Sequence, residues 1–251
     1  MSETIAFIAV GAFAFVLAGF VKGVIGMGLP TIVVGVLSLV TSPSEAVALM
    51  LGPSLVTNVW QGLAGPYLEA ILRRLWPTLI GICAGTWLAA VLGVGLLTPE
   101  AAGRARIALG ATLIVYALLG LARIRFRVSA RAEPWLGPLA GIGTGVLSAA
   151  TGVYMIPAIP YYQAIGLEKD ELVQAQGVSY TVSTVALAAL LMAGGVLNTG
   201  NASMSAVAVA PALIGMVLGQ FIRARVRPEV FRFWFHVGML ALGAHLALIH
   251  R

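Results

Sequence analysis

Apolar residues run through this chain in ten stretches, at about 4–24, 28–40, 45–65, 76–97, 104–122, 134–148, 152–166, 171–194, 203–222 and 229–249. The stretches are continuous, as in Ile107–Leu121 and Val185–Met192, and rich in Ala and Leu. That pattern predicts helices apolar on all sides, not the alternating polarity of a membrane β-barrel. Arg73-Arg74, the Arg123–Arg131 cluster, Glu168-Lys169-Asp170-Glu171 and Arg223–Pro228 read as loops. Two breaks are softer: Gly23-Val-Ile-Gly26-Met-Gly28-Leu-Pro30 and Ser148-Ala-Ala-Thr151-Gly152. Neither has the length or acidic charge of an ordinary loop.

The pattern repeats. Gly19 and Gly23 recur 122 residues later as Gly141 and Gly145. Ser44-Glu45-Ala46-Val47 recurs 126 residues later as Asp170-Glu171-Leu172-Val173. The chain therefore reads as two membrane repeats, 1–125 and 126–251. Each opens with a softly broken pair of short segments and continues with three longer helices.

Basic residues decide how the broken pairs run. If 4–40 and 134–166 each cross once, Lys and Arg divide 7 against 7 between the two sides. If each pair enters and returns, one side holds 73, 74, 123, 125, 127, 131, 169, 223, 225, 227 and 232, and the other 104, 106 and 251. That division, 11 against 3 with Lys22 set aside, matches the excess expected of cytoplasmic loops. The returning version predicts both termini on the non-cytoplasmic side. Five segments per repeat, an odd number, predict inverted repeats. Thirteen helical residues rise about 20 Å, short of the roughly 30 Å hydrocarbon core. The pairs are thus expected to be re-entrant hairpins whose tips meet near the midplane, an arrangement typical of transporter sites.

Composition sharpens this into a class. Sixty per cent of the 251 residues are hydrophobic, 10% are charged, and mean hydropathy is +0.99. Such a balance excludes a soluble enzyme and disorder, and leaves an all-α polytopic membrane protein. The net charge of +6 sits in short loops, which suits the lipid bilayer better than nucleic acid. The lone Cys83 excludes an intrachain disulfide and reads as a small buried hydrophobe. With no basic residue before the first apolar run, that run reads as a retained segment.

Lys22 is the only Lys or Arg well inside an apolar segment. It reads either as an anion attractor or as a cation snorkelling to the interface. Gly26, Gly28 and Thr31 are expected to begin one short helix, and Thr151, Gly152 and Tyr154 the other. Helix N-termini with glycines suit a closely approaching anion. Gly81/Gly85 and Gly215/Gly219 read as helix-packing pairs. Polar stripes follow each tip: Ser54, Asn58 and Gln61 with Thr57, then Gln176, Ser179, Tyr180 and Ser183 with Gln174 and Thr181. They read either as a neutral site for oxyanion oxygens or as interhelical hydrogen bonds. Glu45 and Glu171 suit helix starts. His236 and His245 face opposite ways on the last segment, and neither a metal nor another cofactor is expected.

The glycine pattern Gly19-Phe-Val-Lys-Gly23-Val-Ile-Gly26-Met-Gly28, its weaker echo Gly141-Ile-Gly-Thr-Gly145, and the acidic helix starts at Glu45 and Glu171 resemble the sulfite exporter TauE/SafE family of membrane transporters. The similarity covers essentially the whole chain. It implies a secondary transporter that moves small sulfur-containing anions, such as sulfite or organosulfonates, across the bacterial inner membrane. Family members often carry a longer glycine run where this chain has Gly26-Met27-Gly28-Leu29-Pro30. The expected partners are a small anionic substrate and lipid, and a homo-oligomer is compatible with the sequence. Two alternatives carry different signatures: an assembly factor without transport, and an intramembrane hydrolase with Ser148 as nucleophile and a histidine base.

Overall fold

The computed structural model describes residues 2–94, 102–122, 127–167, 169–223, 225 and 227–248. Arg123, Arg125, Glu168, His250, Arg251 and the expected repeat boundary at 125/126 lie outside the described residues. The described residues form ten helices and no strand. They are α1 (Ser2–Ile25), α2 (Leu29–Leu37), α3 (Pro43–Leu63), α4 (Leu68–Val91), α5 (Ala102–Ala122), α6 (Glu133–Thr151), α7 (Ala158–Ala164), α8 (Lys169–Ala193), α9 (Thr199–Arg223) and α10 (Pro228–Leu248). The all-helical membrane class is therefore as the sequence indicates. Residues Leu68–Val91, Ala102–Ala122, Asp170–Ala193, Thr199–Arg223 and Glu229–Leu248 are long and apolar enough to cross a membrane, and α8 is the most enclosed of them. Trp60, Trp76, Trp135, Phe221 and Trp234 point outward, where lipid accepts apolar side chains.

Local chemistry sets several boundaries. Ser42 caps α3, its hydroxyl accepting the Glu45 amide at 3.2 Å, while Thr41 donates to the Glu45 carboxylate. Glu45 is thus part of a capping arrangement. Arg73 and Arg74 are not loop residues: α4 starts earlier, and Glu69 pairs with Arg73 one turn on, at 2.5 Å. Cys83 is half-buried, not buried, because its part of α4 has an outward face.

Helix pairing rests on glycine pairs. Gly19 and Gly23 of α1 lie against Ala212, Met216 and Gly219 of α9, while Gly215 and Gly219 meet Val16 and Phe20. In the other half, Gly141 and Gly145 of α6 lie against Thr78, Gly81 and Ile82 of α4, while Gly81 and Gly85 meet Pro138 and Ile142. A Cβ on Gly23 would stand 2.2 Å from the Met216 carbonyl oxygen, and one on Gly145 2.2 Å from that of Ile82. Only glycine permits such backbone contact. Residue numbers rise together across both interfaces, so α1 runs parallel to α9 and α4 parallel to α6. Gly110 against Gly243 and Ala247, with Gly120 against His236, makes α5 antiparallel to α10. Gly62 against Gly177 and Val178, with Asn58 bonded to Thr184, makes α3 antiparallel to α8.

The broken pairs enter and return. In the second, the Ala158 amide donates to Thr144 Oγ1 at 3.0 Å, Tyr161 OH donates to the Glu133 carbonyl at 3.3 Å, and the Val128 amide donates to the Ala164 carbonyl at 2.9 Å. The strand of chain after Gly152 therefore runs back along α6. At the same end Arg74 bonds both the Glu133 carboxylate, at 2.6 and 2.9 Å, and the Ile165 carbonyl, at 3.0 Å. Arg223 lies 3.8 Å from Asp170 there. At the opposite end Arg106 donates to the Thr41 carbonyl at 3.2 Å.

The return arms differ from expectation. Residues 152–166 do not form one helix: Thr151 ends α6, Gly152 caps it with φ 73°, and 153–155 are non-helical before α7. Unwound chain covers more distance per residue than helix, so a short arm reaches farther. The tips also do not meet. Gly26 lies beside Val173, near the start of α8, and Gly152 beside Val47, near the start of α3. Eleven residues separate Val173 from Thr184, and eleven separate Val47 from Asn58. Val173 and Val47 thus stand about 16 Å along their helices from Thr184 and Asn58, which puts the two tips on opposite sides of the Asn58–Thr184 contact. What meets in the middle is the arms, where Thr31 Oγ1 donates to Met155 Sδ at 3.1 Å.

Candidate functional site

The centre of the bundle holds a buried lysine. Lys22, on the last full turns of α1, is 3% exposed. Its Nζ donates to Thr57 Oγ1 at 3.0 Å and to Asn58 Oδ1. Both partners are neutral. Thr57 can accept because its own hydroxyl donates to the Pro53 carbonyl at 2.7 Å, one turn back in α3. Snorkelling to an interface is therefore not what this side chain does.

Asn58 extends the cluster. Its amide nitrogen donates to Thr184 Oγ1 at 3.2 Å and lies 3.5 Å from Tyr154 OH. Tyr154 OH and Thr184 Oγ1 are 3.2 Å apart, and Thr184 donates to the Tyr180 carbonyl at 2.7 Å. Lys22, Thr57, Asn58, Tyr154 and Thr184 are all buried. They come from α1, α3, the arm after Gly152, and α8. The sequence stripes contain Thr57 but omit Thr184. The signal for Thr184 is present: it stands 126 residues after Asn58, the same shift that relates Glu45 to Glu171.

Other residues singled out by the sequence hold the frame. Gln61 Nε2 donates to the Gly26 carbonyl at 2.9 Å and the Val173 carbonyl at 2.7 Å, clamping the first tip to α8. Gln174 fastens the α3–α4 turn through the Gly62 and Gly65 carbonyls and the Tyr67 amide. Gly28 caps α2 with φ 106° and packs against Phe235 and Val21. Thr151 donates to the Leu147 carbonyl and accepts the Val153 amide, so neither it nor Gly152 opens a helix. Ser179 bonds Tyr162 OH at 2.5 Å, and Ser54 donates to Met50 Sδ at 3.2 Å.

A further set stands unsatisfied. Gln176, Tyr180, Ser183 and Ser148 are buried, and their side-chain polar atoms have no hydrogen-bond partner in the structure. Buried polar groups are normally paired, so each such group calls for a reason. Gln176 and Tyr180 share a face of α8 with Thr184, at i, i+4 and i+8. The hydrolase reading needs Ser148 bonded to a base, and Ser148 Oγ bonds to no described histidine. His236 Nδ1 instead meets the Arg232 carbonyl at 2.6 Å. Among the described residues no three His, Cys, Asp or Glu side chains gather as metal ligands.

A surface concavity of about 560 Å³ beside Leu55, Val59, Trp60 and Leu63 faces outward and touches none of this cluster. The profile of a family described as sulfite exporter TauE/SafE matches residues 11–246 of the chain. No curated protein and no solved structure matches it.

Proposed function

The chain belongs to the sulfite exporter TauE/SafE family, and on that premise we propose that it is a secondary transporter exporting small sulfur-containing anions, such as sulfite or organosulfonates, across a bacterial inner membrane. The observation that carries this reading is Lys22: a buried lysine in the centre of the bundle whose hydrogen-bond partners among the described residues, Thr57 and Asn58, are neutral. A charge so placed is costly, and an anion that pairs with it removes the cost. Thr57 and Asn58 hold the ammonium, Tyr154 and Thr184 hold Asn58, and Gln176 and Tyr180 offer further polar groups to oxyanion oxygens.

The two halves act as inverted repeats in this reading. The parallel pairs α1/α9 and α4/α6 exchange with each other when the halves are swapped, and the antiparallel pairs α3/α8 and α5/α10 map onto themselves. Rocking of one half against the other would open the central cluster to each side in turn. Basic loops gather at the end marked by Arg74 and Arg223, which supports that end as cytoplasmic and both termini as non-cytoplasmic. An inside-negative potential favours export of one negative charge by about 2.3 kcal/mol per 100 mV. That sustains a gradient of about fiftyfold without a coupling ion.

The test is efflux from sulfite-loaded vesicles bearing the purified protein, with an inside-negative potassium diffusion potential. Efflux faster than from protein-free vesicles, and faster with the potential than without, is expected. Equal rates in all three cases defeat the reading.

A further inference from the structure

Lys22 is the only Lys or Arg among the buried residues described. A monoanion paired with it leaves the interior neutral, whereas a dianion leaves a net negative charge in a medium of low dielectric. An ammonium has three hydrogens, and two of them donate to Thr57 and Asn58, which leaves one for a cargo oxygen.

The unsatisfied side chains add a second constraint. Gln176 is 0% exposed and Tyr180 1%. Gln176 Oε1 lies 3.8 Å from where a Cβ on Gly26 would stand, one turn beyond Lys22, and the Tyr180 ring is 5.1 Å from that of Tyr154. They therefore flank the lysine cluster on the same face of α8 as Thr184. Both ends of the Gln176 amide lack a partner. Its nitrogen needs an acceptor and its oxygen needs a donor. Sulfonate and sulfate oxygens only accept. They answer Gln176 Nε2 and Tyr180 OH but leave Gln176 Oε1 buried and unpaired, which is the costly outcome.

We propose that the cargo is a singly charged sulfur oxyanion that carries its own hydrogen-bond donor, with Lys22 holding the charge and the Gln176 amide reading the donor. Hydrogen sulfite and hydroxyalkyl sulfonates belong to this class. Sulfate dianion and unsubstituted alkyl sulfonates do not. The inference rests on the anion carriage proposed above and names its selectivity.

Vesicles bearing the full chain, assayed with 2-hydroxyethanesulfonate, its isostere propane-1-sulfonate, and sulfate, test it. The hydroxyl compound should move about tenfold faster than its isostere, and sulfate should stay at the protein-free rate. In Gln176→Leu the ratio of hydroxyl compound to isostere should fall to near one, whatever the absolute rates. Tyr180→Phe, which alters an acceptor-binding group only, should keep the ratio. Sulfate moving as fast as the hydroxyl compound, equal wild-type rates for the two sulfonates, or a ratio preserved in Gln176→Leu would each overturn the proposal. Carriage itself fails by a different result, in which none of these anions nor sulfite exceeds the protein-free rate.

Discussion

The two hairpins have the same frame and different chemistry. Gly26 of the first meets Val173 and Gly152 of the second meets Val47, residues related by the same 126-residue shift. Around those tips the halves diverge. By the 122-residue shift that relates Gly23 to Gly145, where the first half has Lys22, bonded to Thr57 and Asn58, the second has Thr144, which donates to the Ala140 carbonyl and accepts the Ala158 amide. Where the first has Gln61 clamping its tip, the second has the apolar Leu187. The first arm resumes as helix at Leu29, whereas the second stays unwound past Met155. The shared part builds a scaffold around the Asn58–Thr184 contact. The unshared part places a single charge in it.

The largest expected effect comes from breaking the shared frame. Gly23→Leu and Gly145→Leu put side chains where even a Cβ would strike a carbonyl oxygen. Each should cost more than about 3 kcal/mol, beyond ordinary overpacking, and abolish a monodisperse peak in detergent size-exclusion chromatography. Gly238→Leu, at a position with open space around its would-be Cβ, should leave the peak intact. A normal peak for one hairpin variant alone would show that the halves do not share this interface logic.

Asn58→Ala addresses the centre. It removes an acceptor from the buried Lys22 and a donor to Thr184. Initial anion flux should fall by on the order of thirtyfold, from about 2 kcal/mol. Flux within a factor of two of wild type would detach Asn58 from the site.

The tip clamp gives a smaller effect. Gln61→Leu removes two hydrogen bonds that hold Gly26 and Val173. With Met27→Cys as a reporter in a Cys83→Ala background, labelling by a membrane-impermeant maleimide should rise about fivefold, reflecting about 1 kcal/mol. Among the described residues no glutamine clamps the second tip in this way, so a reporter at Val153 should respond little. The smallest effect belongs to Thr144→Val, the counterpart of Lys22. It leaves one amide unpaired, costs about 1 kcal/mol of stability in a thermal melt, and keeps flux within about twofold. A collapse of flux there would place chemistry in both hairpins.

The class, the ten segments and the returning parity of the broken pairs are legible in the sequence because lipid forces long apolar helices and basic loops record which ends lie together. The glycine pairs are legible too, since close helix contact leaves no room for a Cβ. Three things are not. The start of α4 at Leu68 escapes because Glu69, Arg73 and Arg74 look like a loop, although their charges reach outward from a helix end. The unwound arm after Gly152 escapes because Val153, Tyr154 and Met155 are apolar in either conformation. The separation of the tips escapes because α1 and α6 each run past the central contact before the chain turns, which the glycine pattern does not mark. At the site, Lys22 and Asn58 stand out as polar residues in apolar sequence. Thr184 does not, because a threonine that bonds its own helix is common in membrane helices.

Initial anion flux in vesicles bearing Lys22→Gln, beside wild type and Lys22→Arg, tests the central claim most directly. Glutamine keeps a hydrogen-bond donor, one bond nearer the backbone, but removes the charge. If the buried ammonium is the anion's charge partner, Lys22→Gln should lose about a hundredfold or more, and Lys22→Arg should retain a measurable part of the flux. Wild-type flux in Lys22→Gln, from protein that elutes and melts as wild type does, would contradict the account.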